Sequence, residues 1–379
     1  MDTDYDYLIV GAGITGLTLA HNLANDGKKV LLIDKRDHIG GNCYDYRDKN
    51  GVLIQKYGPH IFHTPHKRAF DFLSKFTTWK PYKHKVVAFY RGKLYPVPIN
   101  RDTVNLFYNK DFKNEVELKA FLDTKAKKLK KIRNSEDVVI SRFGVELFDA
   151  FVKNYTKKAW DHYPDELDKS VLERLPIRYD TNPHYFNDGY QGMPSWGFTH
   201  LFRKMLRNQN ITVKLNTDFF KKRWKAKNII FTGKIDQFFG YRYGKLDYRC
   251  IKFVFRTRKK DFQEYCVVNY PDNDVKYTRI TDFRRLFMLK TKRTVTCTEY
   301  PMWKGLPCYP VPNKANHALF KKYLALTKNV KNVYFAGRLA TYRYINMDQA
   351  VLDALDLYDH LSKKQPIKEI PTQKYLTGK

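Results

Sequence analysis

The residues with the clearest chemistry stand near the start of the chain. Gly11, Gly13 and Gly16 make a G-x-G-x-x-G turn that also holds Ile14 and Thr15, and Asp34 follows 18 positions after Gly16, with Lys35 beside it. Glycines at this spacing let the backbone close on a pyrophosphate, which rests on the N-terminus of the helix that follows. The acid is then placed to accept hydrogen bonds from ribose hydroxyls, and an acid rather than an arginine points to FAD or NAD rather than NADP. A second stretch, "KYGPHIFHTPHKR", sets His60, His63 and His66 three residues apart. Three imidazoles could ligate zinc, but Pro59 and Pro65 keep them off one helical face, and no cysteine or carboxylate nearby completes a site. No metal is expected.

These residues need a β-α-β unit to hold them. "YDYLIV" reads as a short apolar strand, "ITGLTLAHNLAND" carries apolar residues at helical spacing, Gly27 can end that helix, and "KVLLID" is the second strand. Gly40, Gly41 and Asn42 in "DKRDHIGGN" come soon after the acid, as in many FAD-binding proteins where the chain passes the cofactor again, which tips the choice to FAD. From about 102 to 170 the pattern is helical and charged. Stretches 84–99 and 245–300 are rich in β-branched and aromatic residues and read as strands of an antiparallel sheet. "NVYFAGRLATYRYINMDQAVLDALDL" then returns as strand, Gly turn and amphipathic helix, and "KKQPIKEIPTQKYLTGK" reads as a loosely held tail. The expected fold class is α/β: a Rossmann-like FAD-binding domain (1–79, 190–240 and 325–379), a helical insertion domain (101–175) and an antiparallel β-sheet domain (80–100, 176–189 and 241–324).

Composition narrows the partners. With 43% hydrophobic residues, 28 Tyr and 26 Phe among 379, the chain can bury a large core and present planar rings to ring-shaped ligands. No apolar run approaches the roughly 18 residues of a membrane span, and the acidic start "MDTDYDYLIV" is unlike a secretory signal, so a cytoplasmic protein with no membrane span is expected. Five scattered cysteines without a C-x-x-C pair read as reduced structural thiols. The net charge of +31 raises nucleic acid as a partner, yet "TKAKKLKKIR", "KKRWKAK" and "RTRKK" alternate with apolar residues as solvated faces do. No nucleic-acid-reading motif accompanies them, so nucleic acid is not expected as the primary partner.

Beyond the Gly-rich turn, the chain resembles the FAD-dependent UDP-galactopyranose mutases of bacterial size. The resemblance runs to about residue 358 through "YLIVGAGITG", "IGGN", "YGPHIFHT", "LFDAFVKNYTKKAW", "ERLPIRY", "YFNDGYQGMP", "FTGKIDQFFGYRYGKLDYR", "YTRI", "TEYP" and "FAGRLATYRYINMDQA", in the family's order. "GPHIFHT", "DQFFGYR" and "YTRI" are much narrower than the general FAD motif. The resemblance implies redox-neutral interconversion of UDP-galactopyranose and UDP-galactofuranose. Reduced FAD, primed by an external reductant, attacks the anomeric carbon through N5 and displaces UDP, and the flavin-sugar adduct reopens and recloses. A related UDP-sugar such as UDP-N-acetylgalactosamine or UDP-arabinose, or an FAD-dependent oxidoreductase activity, is the alternative.

The resemblance also implies residue roles. Arg174 in "ERLPIRY" and Arg279 in "YTRI" converge on the diphosphate, with Arg174 on a mobile loop. By spacing alone Phe151, Tyr155 and Trp160 read as core, whereas the family places Tyr155 and Trp160 at the uridine end, with Tyr185 and Phe186 nearby. Tyr185, Tyr309 and Tyr344 match the tyrosines that reach the diphosphate, and Asn269 a polar residue near the sugar. His60 contacts the flavin near N5, with Ile61 beside it, His63 supports the turn, and His66 is a bystander. Arg338 faces the FAD pyrophosphate, and Met347 and Asp348 continue over the flavin edge. Three positions depart from the family: Asn346 where it has Asp, and Ala159 and Asp161 where it commonly has Gln and Gly. A homodimer is implied for a chain of this size.

Overall fold

The computed structural model describes residues 5–173, 175–176 and 178–362; Arg174 and the C-terminal tail lie outside the described residues. The Gly-rich turn leaves the C-terminal edge of a five-stranded parallel sheet. Its strands run in the order Ile211–Lys214, Val30–Ile33, Tyr7–Val10, Asn228–Phe231 and Val333–Phe335. Leu8, Ile9, Val30, Leu32 and Ile230 are buried, the continuous apolar pattern of strands covered on both faces. Helix Ile14–Asn25 packs on one face against helix Met347–Leu361, which brings the end of the described chain back to its start.

A seven-stranded sheet forms the second layer. Its order is Pro307–Pro310, Tyr248–Lys259, Arg293–Met302, Arg279–Asp282, Val267–Asn269, Val86–Tyr90 and Lys93–Val97. One pair departs from the antiparallel expectation: Val86–Tyr90 runs parallel to Val267–Asn269. A parallel pair requires a crossover connection. The helices Arg101–Tyr108, Glu115–Lys125, Ser135–Phe148 and Asn154–Trp160 lie in the chain between those two strands. A three-stranded sheet, Phe62–Thr64, Tyr190–Pro194 and Trp79–Pro81, was not expected, because segments this short show no readable period. All five cysteines are buried and unpaired. No helix among the described residues is long and apolar enough to cross a membrane.

Candidate active site

Four parallel strands end at one edge, and each delivers a residue to a cleft there: Gly11 after Val10, Asp34 after Ile33, Thr232 after Phe231 and Gly337 beyond Phe335. Ligands of open α/β sheets bind outside these strand ends. Gly11 has φ +107°, and a Cβ there would meet Thr232 Oγ1 at 2.0 Å, so the position demands glycine. Gly41 has φ +55°, and its Cβ would come 2.8 Å from Gly13 Cα. The loop from Asp34 thus returns against the first turn, where Gly40 N donates to Ala12 O at 2.7 Å.

The donor set suits FAD. Asp34 accepts Ala12 N–H through Oδ2 at 2.8 Å and Arg36 N–H through Oδ1 at 2.9 Å, and each oxygen keeps a lone pair for a ribose hydroxyl. Arg36, which lines the cleft, donates from Nη2 to Asn42 Oδ1 at 3.0 Å, while its Nη1 is buried without a partner. A Cβ on Gly13 would meet nothing closer than 3.9 Å, which leaves room for a phosphate against the turn. Ile14, Thr15, Lys35 and Met347 complete this lining.

His60 also lines the cleft. Buried Gln55 brackets its backbone, accepting His60 N–H at 2.7 Å and donating to His60 O at 2.9 Å. The ring's Nδ1 lies 2.9 Å from Gly58 O and therefore carries the proton, which leaves Nε2 with the lone pair. Burial lowers the imidazole to about 4, and the guanidiniums of Arg338 and Arg279 push the same way. The ring is neutral at ordinary pH. His63 instead points Nδ1 at Asp188 Oδ2, 2.5 Å away, and stacks on Phe186 at 3.6 Å. His66 is exposed. Among the described residues no group of three or more His, Cys, Asp or Glu could hold a metal ion.

A second cluster adjoins the first. The Arg338 guanidinium lies 5.6 Å from the Tyr344 ring, Tyr344 packs edge-on to Tyr309 at 5.3 Å, and Trp160 meets both at 5.5 and 5.7 Å. Tyr155 Oη is 3.5 Å from Asn269 Oδ1, and Asn269 pairs across strands with Arg279. Burial would lower the Arg279 guanidinium, but Glu299, then Tyr155 and Tyr309, hold it firmly charged. Burial raises the Tyr155 and Tyr309 hydroxyls far above the phenol range, so both remain proton donors. Tyr185 stands near this group, edge-on to Phe186 at 5.0 Å. The cluster presents one fixed cation, two phenol donors and a wall of rings, which matches a diphosphate joined to a flat base.

Several expected residues stand elsewhere. Phe151, in a π-helical turn at Asp149–Lys153, packs into the core against Tyr95 at 5.1 Å and Tyr90 at 5.5 Å, as its spacing alone suggested. Gly16 lies behind the cleft: its Cβ would strike Gly11 O at 2.0 Å, so it serves helix-strand packing. Ile61 is core, and buried Asp348 accepts a hydrogen bond from Thr64 Oγ1 at 2.9 Å instead of lining the cleft. Arg338 lines the cleft, and three of its five N–H groups donate to Ile345 O and Cys308 O, so it braces the wall while two N–H groups remain. Sequence reasoning missed Arg36, Gln55, Thr232, Lys234 and Gln237. The last three follow the strand Asn228–Phe231, whose place beside Tyr7–Val10 was the signal that marks them.

A family model described as UDP-galactopyranose mutase matches residues 150–344, and one described as an NAD(P)-binding Rossmann-like domain matches residues 9–76. A probable UDP-galactopyranose mutase of Klebsiella pneumoniae is 37% identical over 372 residues, 96% of this chain and 97% of its own. A dTDP-fucopyranose mutase of Escherichia coli is 35% identical over 363 residues, 92% of this chain and 96% of its own. A solved structure of reduced UDP-galactopyranose mutase has a TM-score of 0.78 over 97% of both chains at 17% identity, which shows the shared fold. With relatives above one-third identity across nearly its whole described length, the chain belongs to the UDP-galactopyranose mutase family.

Proposed function

We propose that the protein is a redox-neutral isomerase interconverting UDP-galactopyranose and UDP-galactofuranose on FAD kept reduced by an external donor. The observation that carries this reading is the continuity of two sites: Arg338 lines the dinucleotide cleft and stacks on Tyr344, from which ring contacts lead through Tyr309 to Trp160. A small amine substrate would need neither the phenol donors nor the buried guanidinium at the far end.

FAD bound in reduced form would supply a nucleophilic ring nitrogen for the anomeric carbon, chemistry that exchanges no electrons overall. The chain's own residues bind and orient. Arg279 stays fixed on its strand and neutralises the diphosphate, with Arg174 as the second guanidinium by the family motif. Each charge-assisted hydrogen bond there contributes about 1.5 to 3 kcal/mol, more as charge grows on the departing phosphate. Tyr155, Tyr185, Tyr309 and Tyr344 donate to the phosphates or wall them from water. Trp160 and Phe186 clamp the base, Asn269 faces the sugar, and His60 presents a neutral imidazole to the flavin edge.

A second reading, a mutase for a different nucleotide sugar, is favoured by the Escherichia coli relative named for dTDP-fucopyranose. The test is a product analysis by chromatography. Dithionite-reduced protein under argon receives UDP-galactofuranose, UDP-N-acetylgalactosamine, UDP-arabinose or dTDP-fucopyranose. Conversion of the first with highest kcat/KM supports the primary reading, preference for another selects the second, and conversion of none rejects both.

A further inference from the structure

The Lys158 ammonium sits among backbone oxygens alone. Its Nζ donates to the carbonyls of Tyr270 at 2.5 Å, Asp272 at 2.6 Å, and Val275 and Tyr277 at 3.2 Å. All four belong to the loop between strands Val267–Asn269 and Arg279–Asp282, which Tyr270 N closes by donating to Thr278 O at 2.8 Å. An ammonium has three protons, so four oxygens around it are a coordination shell rather than one-to-one hydrogen bonding. Rings of backbone carbonyls are the ligands that replace the hydration shell of K+-sized ions. Burial lowers the amine to about 8, opposed by the carboxylates of Asp272 and Asp274.

The cage stands next to the nucleotide end. Lys158 follows Tyr155 by three residues on helix Asn154–Trp160, hence on the same face. The feet of the loop are Asn269 and Arg279, paired across strands, and Tyr155 Oη reaches Asn269 Oδ1 at 3.5 Å. The same end of the helix is also held from the far side of the site: Arg249 donates to Ala159 O at 3.0 Å and to the Lys158 backbone O at 3.3 Å, and Trp303 Nε1 donates to Asp161 Oδ2 at 2.6 Å. Of these contacts, only those of the Lys158 side chain are made to the loop that runs into Asn269 and Arg279.

We propose that the loop from Tyr270 to Tyr277 is a monovalent-cation site filled by the protein's own Lys158 ammonium, and that this tethered cation sets the spacing of Tyr155, Asn269 and Arg279. Lys158 is a positioning residue. Its effect on the nucleotide rests on the proposed function; the cation site itself does not.

Lys158→Ala deletes the atoms from Cγ to Nζ, a fragment equivalent to n-propylammonium. The FAD-loaded variant should show KM for UDP-galactofuranose and Kd for UDP raised about tenfold with kcat little changed. Propylammonium or NH4+ should restore both and raise its Tm, while n-propanol and tetramethylammonium should do neither. Lys158→Met, which fills the space without charge, should respond to no cation. A Tm of Lys158→Ala that is indifferent to small cations overturns the site. A cation-dependent Tm with unaltered UDP affinity overturns the positioning role. Wild-type protein that binds no UDP while the Tm response persists overturns the proposed function alone. If Lys158→Ala does not fold, Lys158→Gln replaces it, and unchanged KM and Tm there overturn the proposal.

Discussion

Arg279 and Glu299 face each other on neighbouring strands, with Arg279 Nε 2.8 Å from Glu299 Oε1 and the glutamate side chain only 2% exposed. Neither atom completes an aligned hydrogen bond, so the contact is Coulombic, and the remaining guanidinium nitrogens are left for another anion. Arg279→Ala would strand a buried carboxylate at a cost of about 2 to 4 kcal/mol. Turnover should fall by about a hundredfold or more. Adding Glu299→Gln should return most of the lost Tm but none of the turnover. Recovery of turnover in the double variant would place the catalytic role elsewhere.

Arg36 lines the cofactor cleft, and its buried Nη1 has no partner within the protein. Arg36→Gln should weaken FAD binding by about tenfold, the loss of one hydrogen bond to a charged group. Turnover at saturating FAD should be unchanged. Fluorescence titration of the apoprotein with FAD measures the first and steady-state assay the second.

Two imidazoles make stability depend on acidity. Burial lowers His60 to about 4 and His84 to about 3, against about 6.5 in an unfolded chain. The unfolded chain therefore binds protons first as pH falls below 6.5. The stability both groups contribute is complete above that pH and is lost as pH drops toward 4, at most about 1.4 kcal/mol per pH unit for each group. Urea midpoints measured from pH 7 to pH 5 should decline, and less steeply in His84→Phe. His60→Ala should keep FAD bound while turnover falls.

Trp160 touches both Tyr309 and Tyr344 at the end of its helix. Trp160→Ala should raise KM for the nucleotide sugar by about tenfold or more through lost stacking, a term worth about 1 to 3 kcal/mol per base. Phe151→Ala should instead lower Tm by about 3 to 5 kcal/mol worth of core packing, leaving KM of the folded fraction alone.

Much of this site was legible before any coordinates. Gly11, Gly13 and Asp34 were readable because a pyrophosphate and a ribose impose spacing within one local β-α-β unit, and the family motifs carried Tyr155, Trp160 and Arg279 to a common place. Phe151 and Asp348 were misplaced because a motif marks a neighbourhood and not a side-chain direction; one looks into the core and the other toward Thr64. Gln55 and the Lys158 cage were not legible at all. Gln55 acts through a backbone bracket five residues away, and Lys158 binds carbonyls 112 to 119 residues along the chain, which no side-chain pattern encodes.

Catalysis by this protein should need reduced flavin yet consume no electrons. The direct measurement is anaerobic: dithionite-reduced protein, freed of excess reductant, is mixed with many equivalents of UDP-galactofuranose while product and the flavin absorbance are followed together. Many turnovers to UDP-galactopyranose per flavin are expected with the reduced spectrum unchanged, and none from oxidised protein. Equal activity of the oxidised protein, or conversion that stops after one equivalent as the flavin reoxidises, would contradict this.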